Sequence, residues 1–338
     1  MNALKAGIKE AEKIKRYLLE KGALDQGYNV KKDSRYIYFP LKKEINIKGT
    51  TMISTDFSKR AIPAAKDLKT LLSKEMTASE LGKIKTGFDV IGNIAILEID
   101  DEFRGKEKLI AETLLKSNPS IKTVLRKADR HEGEYRTQKM KWLAGARTKE
   151  TTHRENGVAL KLNVEKVYFS PRLSTERKRI SELVKPKEEI LVMFSGCAPY
   201  PCVLAKNTKA KEIIGVEINP EGHKYGLENI TLNKIKNVTL YNGDVKKIVP
   251  KLKRKFSRIL MPLPKSAEDF LDVAFEASAK GTIIHFYNFL REDEFYRAEE
   301  MVASAAKKAG VKWKKLALVK CGQHAPRTFR ICLDVQVL

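Results

Sequence analysis

Beyond Val184 the chain alternates short apolar runs with stretches of helical periodicity, and this alternation restricts its architecture more than any other feature. The runs at 189–194 (EILVMF), 212–218, 238–241, 258–261 and 281–287 read as strands. Helical patterns begin at Pro201, after Asn219 and after Ser266, and a last one crosses 292–309. Strands separated by helices run parallel, because each crossover returns the chain to the same end of the sheet. The expected fold is therefore a doubly wound α/β sheet with helices on both faces. Two further strand patterns, 313–319 and 327–337, have no helix between them and are expected to close one edge as an antiparallel hairpin.

Upstream, Leu4, Ile8, Ala11, Ile14 and Leu18 recur at helical spacing, which predicts an amphipathic helix over 3–21 closed by Gly22. An aromatic-rich run at 34–41 (SRYIYFPL) reads as a strand, so residues 1–55 are expected to form a small α+β module. Residues 56–160 open with a helical stretch through Leu68 and Leu72 and contain a strand pair within 85–99, turned at Gly92-Asn93. Residues 161–338 hold the alternating pattern.

Charge narrows the partners. The 338 residues include 66 Lys and Arg against 42 Asp and Glu, a net charge of +24 and a pI near 9.7. Between Arg104 and Arg154 there are 14 basic and 6 acidic residues, so the middle region is an expected nucleic-acid phosphate-binding surface. An apolar fraction of 42% recurring along the whole chain predicts a buried core rather than disorder. No run approaches the roughly 20 apolar residues of a membrane span, and residues 1–15 lack the core of a secretory signal. A soluble, cytoplasmic monomer without membrane attachment is expected. Cys197, Cys202, Cys321 and Cys332 form no C-x-x-C pair and the five histidines are not spaced as ligands, so no metal is expected.

In doubly wound sheets, ligands sit beyond the carboxyl ends of the strands. Here the first strand runs into Ser195-Gly196-Cys197-Ala198-Pro199, where Gly196 permits a tight turn and close approach of a ligand. Glu217 ends the second strand about 20 residues later, the spacing at which an acid binds both hydroxyls of an adenosine ribose. Asp244 follows the third strand and could bind an adenine amino group. With one glycine the loop lacks the dinucleotide fingerprint. A cofactor without phosphates and with a cationic sulfonium, S-adenosylmethionine, suits this acidic rim better than NAD.

The Tyr135-Arg136 pair, the HRENG sequence at 153–157 and the run VYFSPRLSTER at 167–177 resemble the archaeal tRNA (guanine-37-N1)-methyltransferases and their relatives in wyosine synthesis, the aminocarboxypropyl transferases. The resemblance covers nearly the whole chain. It implies a tRNA-elbow module at 1–55, an RNA-contacting region at 56–160 and a class I, Rossmann-like methyltransferase domain at 161–338. It implies methyl transfer from S-adenosylmethionine to N1 of guanine 37 in the anticodon loop. Glu176 would be the general base, Arg136 the cation beside O6, and Tyr168 a wall of the guanine and cofactor pocket. Arg177, Ser195, Gly196, Glu217-Ile218, Asp244-Val245 and Pro262 fall at cofactor-contacting positions.

The chain departs from the family pattern at Val192 and Ala198 in the first loop. It departs more consequentially at Pro262 in Met-Pro-Leu-Pro, where relatives carry an Asn that holds the guanine edge or the cofactor. Backbone carbonyls within 261–263 could replace that amide, and Asn288 is a candidate compensating side chain. Two alternatives therefore stay open: C7 methyl or aminocarboxypropyl transfer to a wyosine precursor at the same position, and a non-catalytic tRNA-binding protein.

Overall fold

The computed structural model describes residues 1–25, 27–58, 68–85, 87–128, 133, 135–263 and 265–338. These divide into two compact units, 1–71 and 72–338.

The first unit is an antiparallel sheet with one amphipathic helix. Strands β1 (Asn2–Gly7), β2 (Lys31–Lys32), β3 (Tyr36–Pro40) and β4 (Thr51–Ser54) lie in the order β2-β3-β1-β4, and α1 (Ala11–Glu20) buries Ile14 and Leu18 against Leu4 and Phe39. Residues 2–7 correct the expectation of one helix from Ala3. Leu4, which is at helical spacing from Ile8, also alternates with Ala6 as a strand requires, and β1 gains backbone partners on both sides, β3 and β4. Gly22, at φ +60°, ends α1 as expected. A short helix, α2 (Leu68–Leu72), follows; most of the helical stretch expected before it lies at 59–67, outside the described residues.

The second unit begins with α3 (Ala78–Lys83), capped by a reciprocal Thr77–Glu80 box. Strands β5 (Phe88–Ile91) and β6 (Ile94–Leu97) form the expected hairpin, with Gly92 at φ +58° in its turn. The helix α4 (Glu107–Ser117) leads to β7 (Thr123–Lys127) and β8 (Met140–Gly145), giving a sheet ordered β5-β6-β7-β8. A separate hairpin, β9 (Glu150–Glu155) with β10 (Val158–Asn163), precedes α5 (Ser174–Leu183).

The remainder is the expected doubly wound sheet. Its elements are β11 (Glu189–Met193), α6 (Pro199–Asn207), β12 (Glu212–Glu217), α7 (Pro220–Leu232), β13 (Val238–Asn242), α8 (Val245–Leu252), β14 (Phe256–Met261), α9 (Leu271–Glu276), β15 (Ser278–Arg291), α10 (Tyr296–Ala309), β16 (Trp313–Ala325) and β17 (Thr328–Val337). The seven strands lie in the order β13-β12-β11-β14-β15-β17-β16, parallel as far as β15, with β17 and β16 antiparallel at the edge. Within β11, Leu191 and Met193 pack with α8, α9 and α10, while Ile190 and Val192 pack with Ile180 of α5 and Tyr200 and Leu204 of α6. Burial on both faces is why β11 reads as an unbroken apolar run. The strand order reverses between β11 and β14, which opens a crevice at their carboxyl ends.

Candidate active site

The loop between β11 and α6 turns sharply. Phe194, Gly196 and Ala198 all have φ near +60°, a conformation that is costly for the two non-glycine residues. It is held from β12: Ser195 N–H donates to Val216 O at 2.8 Å, and Gly196 N–H donates to Glu217 Oε2 at 2.6 Å. The other carboxylate oxygen of Glu217 accepts from Asn219 N–H at 2.9 Å. Burial pushes the Glu217 carboxyl up from its ordinary value, against the two N–H groups that favour its charge. A carboxylate has about four lone-pair sites, so acceptor capacity remains for two hydroxyls.

Asn242 Nδ2 and Gly243 N–H both donate to Glu217 O, at 2.8 and 2.9 Å, which ties the end of β13 to the end of β12. Asp244 then caps α8 by accepting from Lys246 N–H, with Val245 buried behind it. Thus Ser195, Gly196, Glu217, Ile218, Asp244 and Val245 gather at one end of the sheet, and half-buried Pro262 follows β14 at the same end. Met261 O accepts from Leu263 N–H at 2.7 Å, so one of the carbonyls considered as a substitute for the family amide is engaged in the turn. Asn288 is engaged too. It lies within β15, not beyond the strand, and its amide faces Glu268 and Met301 at 3.4 Å. Pro264 lies outside the described residues.

The two diagnostic motifs are physically one device. Asn156 and Gly157 form the β9–β10 turn, at φ +43° and +77°, and Asn156 Nδ2 donates to Ser174 O at 2.9 Å on the first turn of α5. Glu155 forms a bidentate pair with Arg177, whose Nη2 lies 2.7 Å from Glu155 Oε2 and also donates to Ser170 O at 3.0 Å. The Arg177 guanidinium lies over the rings of Phe169 and Tyr200, at 5.2 and 5.8 Å, and the residue is 1% exposed. Its place is therefore in the support of the α5 turn.

Glu176, 4% exposed, faces the hairpin edge of the sheet. Arg179 grips it with two bonds of 2.7 Å, and Tyr287 O–H donates to Oε1 at 2.7 Å. Behind Tyr287, Tyr200 O–H donates to the Tyr287 oxygen at 3.0 Å, and burial pushes both phenols upward so that they stay protonated. Arg179 reaches Asp334 Oδ2 at 2.7 Å, Asp334 Oδ1 meets His285 Nδ1 at 2.6 Å, and His285 Nε2 meets Arg258 Nη1 at 2.6 Å. Arg258 ends the chain on Glu188, through bonds of 2.7 and 3.0 Å. None of these partners of Glu176 is apparent from the sequence motifs. The available signal was a lone His and a lone Asp at inward positions of the apolar strands β15 and β17, directly opposed in register.

Arg136 and Tyr168 come together at another corner. Arg136 Nη2 donates to Lys265 O at 2.6 Å, just past β14, and burial followed by the neighbouring Arg330 lowers the Arg136 pKa against the pull of Tyr168. Arg330 Nη2 donates to Tyr168 Oη at 2.9 Å. The Arg330 guanidinium lies 4.9 Å above Phe289, whose ring stacks on His324 at 4.1 Å.

The residues at the strand ends fit an adenosyl cofactor. A Cβ built on Gly196 would find nothing nearer than Tyr168 O at 3.8 Å, so the loop presents open backbone towards Tyr168. His285, Cys332 and Asp334 place ligand-type atoms within 4.8 Å of one another, but they do not fit a metal. Both imidazole nitrogens are engaged, and Arg179 and Arg258 already supply positive charge on either side. Burial pushes the Cys197 thiol up to about 12, which leaves it inert as a nucleophile.

Known proteins match nearly the whole length of this chain. Residues 3–48 match the tRNA methyltransferase 5 N-terminal domain, 68–148 the TYW2 N-terminal domain, and 151–314 the TRM5/TYW2 methyltransferase domain. The tRNA (guanine(37)-N(1))-methyltransferase Trm5b of Pyrococcus abyssi is 37% identical over 99% of this chain and 98% of its own. The chain belongs to the TRM5/TYW2 methyltransferase family. Another TRM5/TYW2 relative, the tRNA (guanine(37)-N(1))/4-demethylwyosine(37)-methyltransferase Taw22 of Nanoarchaeum equitans, is 33% identical over 74% of this chain and 99% of its own. The solved complex of aTrm5 and tRNALeu superposes with a TM-score of 0.72 at 29% identity, covering 100% of both chains. No helix among the described residues is long and apolar enough to cross a membrane.

Proposed function

We propose that this chain is a tRNA (guanine-37-N1)-methyltransferase that uses S-adenosylmethionine. The carrying observation is the near full-length likeness to the Pyrococcus abyssi methyltransferase, in a chain whose own Arg136, Tyr168, Glu176, Glu217 and Asp244 stand where the motif resemblance implies site residues. In this reading, Glu217 would accept from the ribose hydroxyls and Asp244 from the adenine amino group, with Ile218 and Val245 next to them at the same strand ends. Ser195, Gly196 and Pro262 line the same pocket, and Arg177 braces the turn beside it. When bound, the cofactor supplies a sulfonium methyl whose carbon accepts an electron pair.

The chain's own residues prepare the base. Glu176 takes the N1 proton, so that the N1 electron pair is free to bond to the methyl carbon, and Arg136 stabilises the charge that develops on O6. Tyr168 shapes the pocket for the extruded guanine. Flipping that base from the anticodon loop costs a few kcal/mol, offset by these contacts and by phosphate binding. We assign the tRNA elbow to residues 1–55, phosphate contacts to the basic region 56–160, and methyl transfer to 161–338.

The test is incubation with labelled cofactor and unmodified tRNA transcripts bearing G37 or A37, followed by nucleoside mass analysis. The expected product is 1-methylguanosine at G37, lost in Glu176→Ala. Equal labelling of A37 overturns the reading, and absence of any turnover favours a non-catalytic tRNA-binding protein. Pro262 favours a second reading, methylation of C7 in a wyosine precursor at position 37, because a proline offers no amide to define the guanine edge. Presenting 4-demethylwyosine tRNA in the same assay distinguishes methyl from aminocarboxypropyl transfer by the mass gained.

A further inference from the structure

Given the reading of Glu176 as the base, its position poses a problem. Its carboxylate is buried and clasped by Arg179 and Tyr287, so it must leave Arg179 to meet a guanine. Breaking a buried ion pair normally strands the remaining charge, at a cost that would suppress the movement. Here the guanidinium has a second anion. Arg179 Nη1 lies 2.7 Å from Asp334 Oδ2, and Nη2 lies 3.4 Å from Asp334 Oδ1.

We propose that Asp334 is a positioning residue that keeps Arg179 neutralised when Glu176 departs or takes a proton, and so sets Glu176 free for catalysis.

Charge accounting in the cluster supports this. Arg258 can only donate, so His285 Nε2 accepts from it and the imidazole proton sits on Nδ1, directed at Asp334. Burial lowers the His285 pKa, opposed by Asp334, and the imidazole is neutral. Arg258 is already paired with Glu188. Glu176, Arg179 and Asp334 therefore carry one net negative charge among them. Protonating Glu176, or withdrawing it, leaves a neutral Arg179–Asp334 pair. Asp334 is held for this task by His285 and by Cys332 Sγ at 3.1 Å, and its carboxyl stays well below the ordinary range despite burial. Without its charge, Glu176 becomes the sole anion opposite Arg179 in this cluster and is retained there.

Single-turnover methyl transfer to a G37 transcript, at saturating S-adenosylmethionine and tRNA, tests the proposal, with equilibrium affinities for both measured separately. Asp334→Asn is expected to slow transfer by about tenfold or more while both affinities stay within about twofold. Adding Arg179→Gln removes the guanidinium that retains Glu176, so the double variant is expected to transfer faster than Asp334→Asn alone. Asp334→Glu is expected to keep most of the rate. An unslowed Asp334→Asn, a double variant no faster than the single one, or a parallel loss of cofactor affinity each overturns the proposal. Glu176→Gln is the control for the underlying reading: full activity there refutes Glu176 as the base, whereas an inactive Glu176→Gln beside an unslowed Asp334→Asn refutes only the role of Asp334.

Discussion

Glu155 at the end of β9 and Arg177 on the first turn of α5 form a bidentate ion pair from which solvent is almost wholly excluded. The pair fixes the turn that carries Glu176, so the hairpin motif and the helix motif depend on each other through one salt bridge. Removing one partner of a buried pair leaves the other charge uncompensated. Glu155→Gln is therefore expected to lower unfolding free energy by about 3–5 kcal/mol in urea titrations. A loss below about 1 kcal/mol would mean that Arg177 finds another anion.

The same carboxylate links stability to pH. Burial alone would raise the Glu155 pKa, but His153 and Arg177 together bring it below its ordinary value, and Asp334 is likewise held low by His285 and Arg179. A folded-state pKa below the unfolded one contributes stability that is fully present above the unfolded value and is lost as pH falls through the folded value. Melting temperature is thus expected to hold from neutral pH to roughly pH 5 and to decline steeply below about pH 4. The decline should be shallower in Glu155→Gln, compared with its own value at neutral pH.

Much of the doubly wound domain is legible in the sequence, because β11, β12 and β14 are buried on both faces and have no polar alternation to obscure them. The first strand is not: Leu4 fits helical spacing to Ile8 and strand alternation with Ala6, and only pairing with the distant strands β3 and β4 selects the strand. The site divides in the same way. Gly196, Glu217 and Asp244 are readable because a parallel sheet delivers its strand ends to one place. The surroundings of Glu176 are not, since Asp334 lies 155 residues beyond Arg179 and reaches it only through the register of an antiparallel edge. Motif resemblance locates a carboxylate but carries no information about what grips it.

Arg136 offers a separate measure of the chemistry. Its guanidinium, half-buried and anchored on Lys265 O, lies beside Tyr168 and Arg330 and far in sequence from the cofactor loop. Replacing a preorganised donor to a developing oxyanion typically slows the chemical step by about 10²–10³. Arg136→Ala is expected to do so in single-turnover assays while leaving S-adenosylmethionine affinity unchanged. An equal loss in affinity and rate would assign Arg136 to the cofactor instead.

Gly215 in β12 couples core packing to the loop. A Cβ there would stand 2.5 Å from Leu240 Cδ2 and 3.0 Å from Ser195 Cβ. Leu240 can rotate away, but Ser195 is pinned by its bond to Val216 O. Gly215→Ala is expected to destabilise the fold by about 1–3 kcal/mol in thermal melts and to weaken cofactor binding as the loop is displaced. Undiminished binding in a destabilised variant would separate the loop from the core.

Cofactor affinity should itself titrate through Glu217. The ionised carboxylate accepts from ribose hydroxyls, whereas the protonated acid must spend one oxygen as a donor. Because burial raises the Glu217 pKa above 4.5, the protonated form gains population at a higher pH than for an exposed glutamate. Calorimetric affinity for S-adenosylmethionine is therefore expected to weaken as pH falls, with a midpoint above that ordinary value. Glu217→Gln removes the charge-assisted bonds, worth about 1.5–3 kcal/mol each, and should bind at least tenfold more weakly at neutral pH without the acid-dependent step. Retention of that step in Glu217→Gln would move the titration to another group.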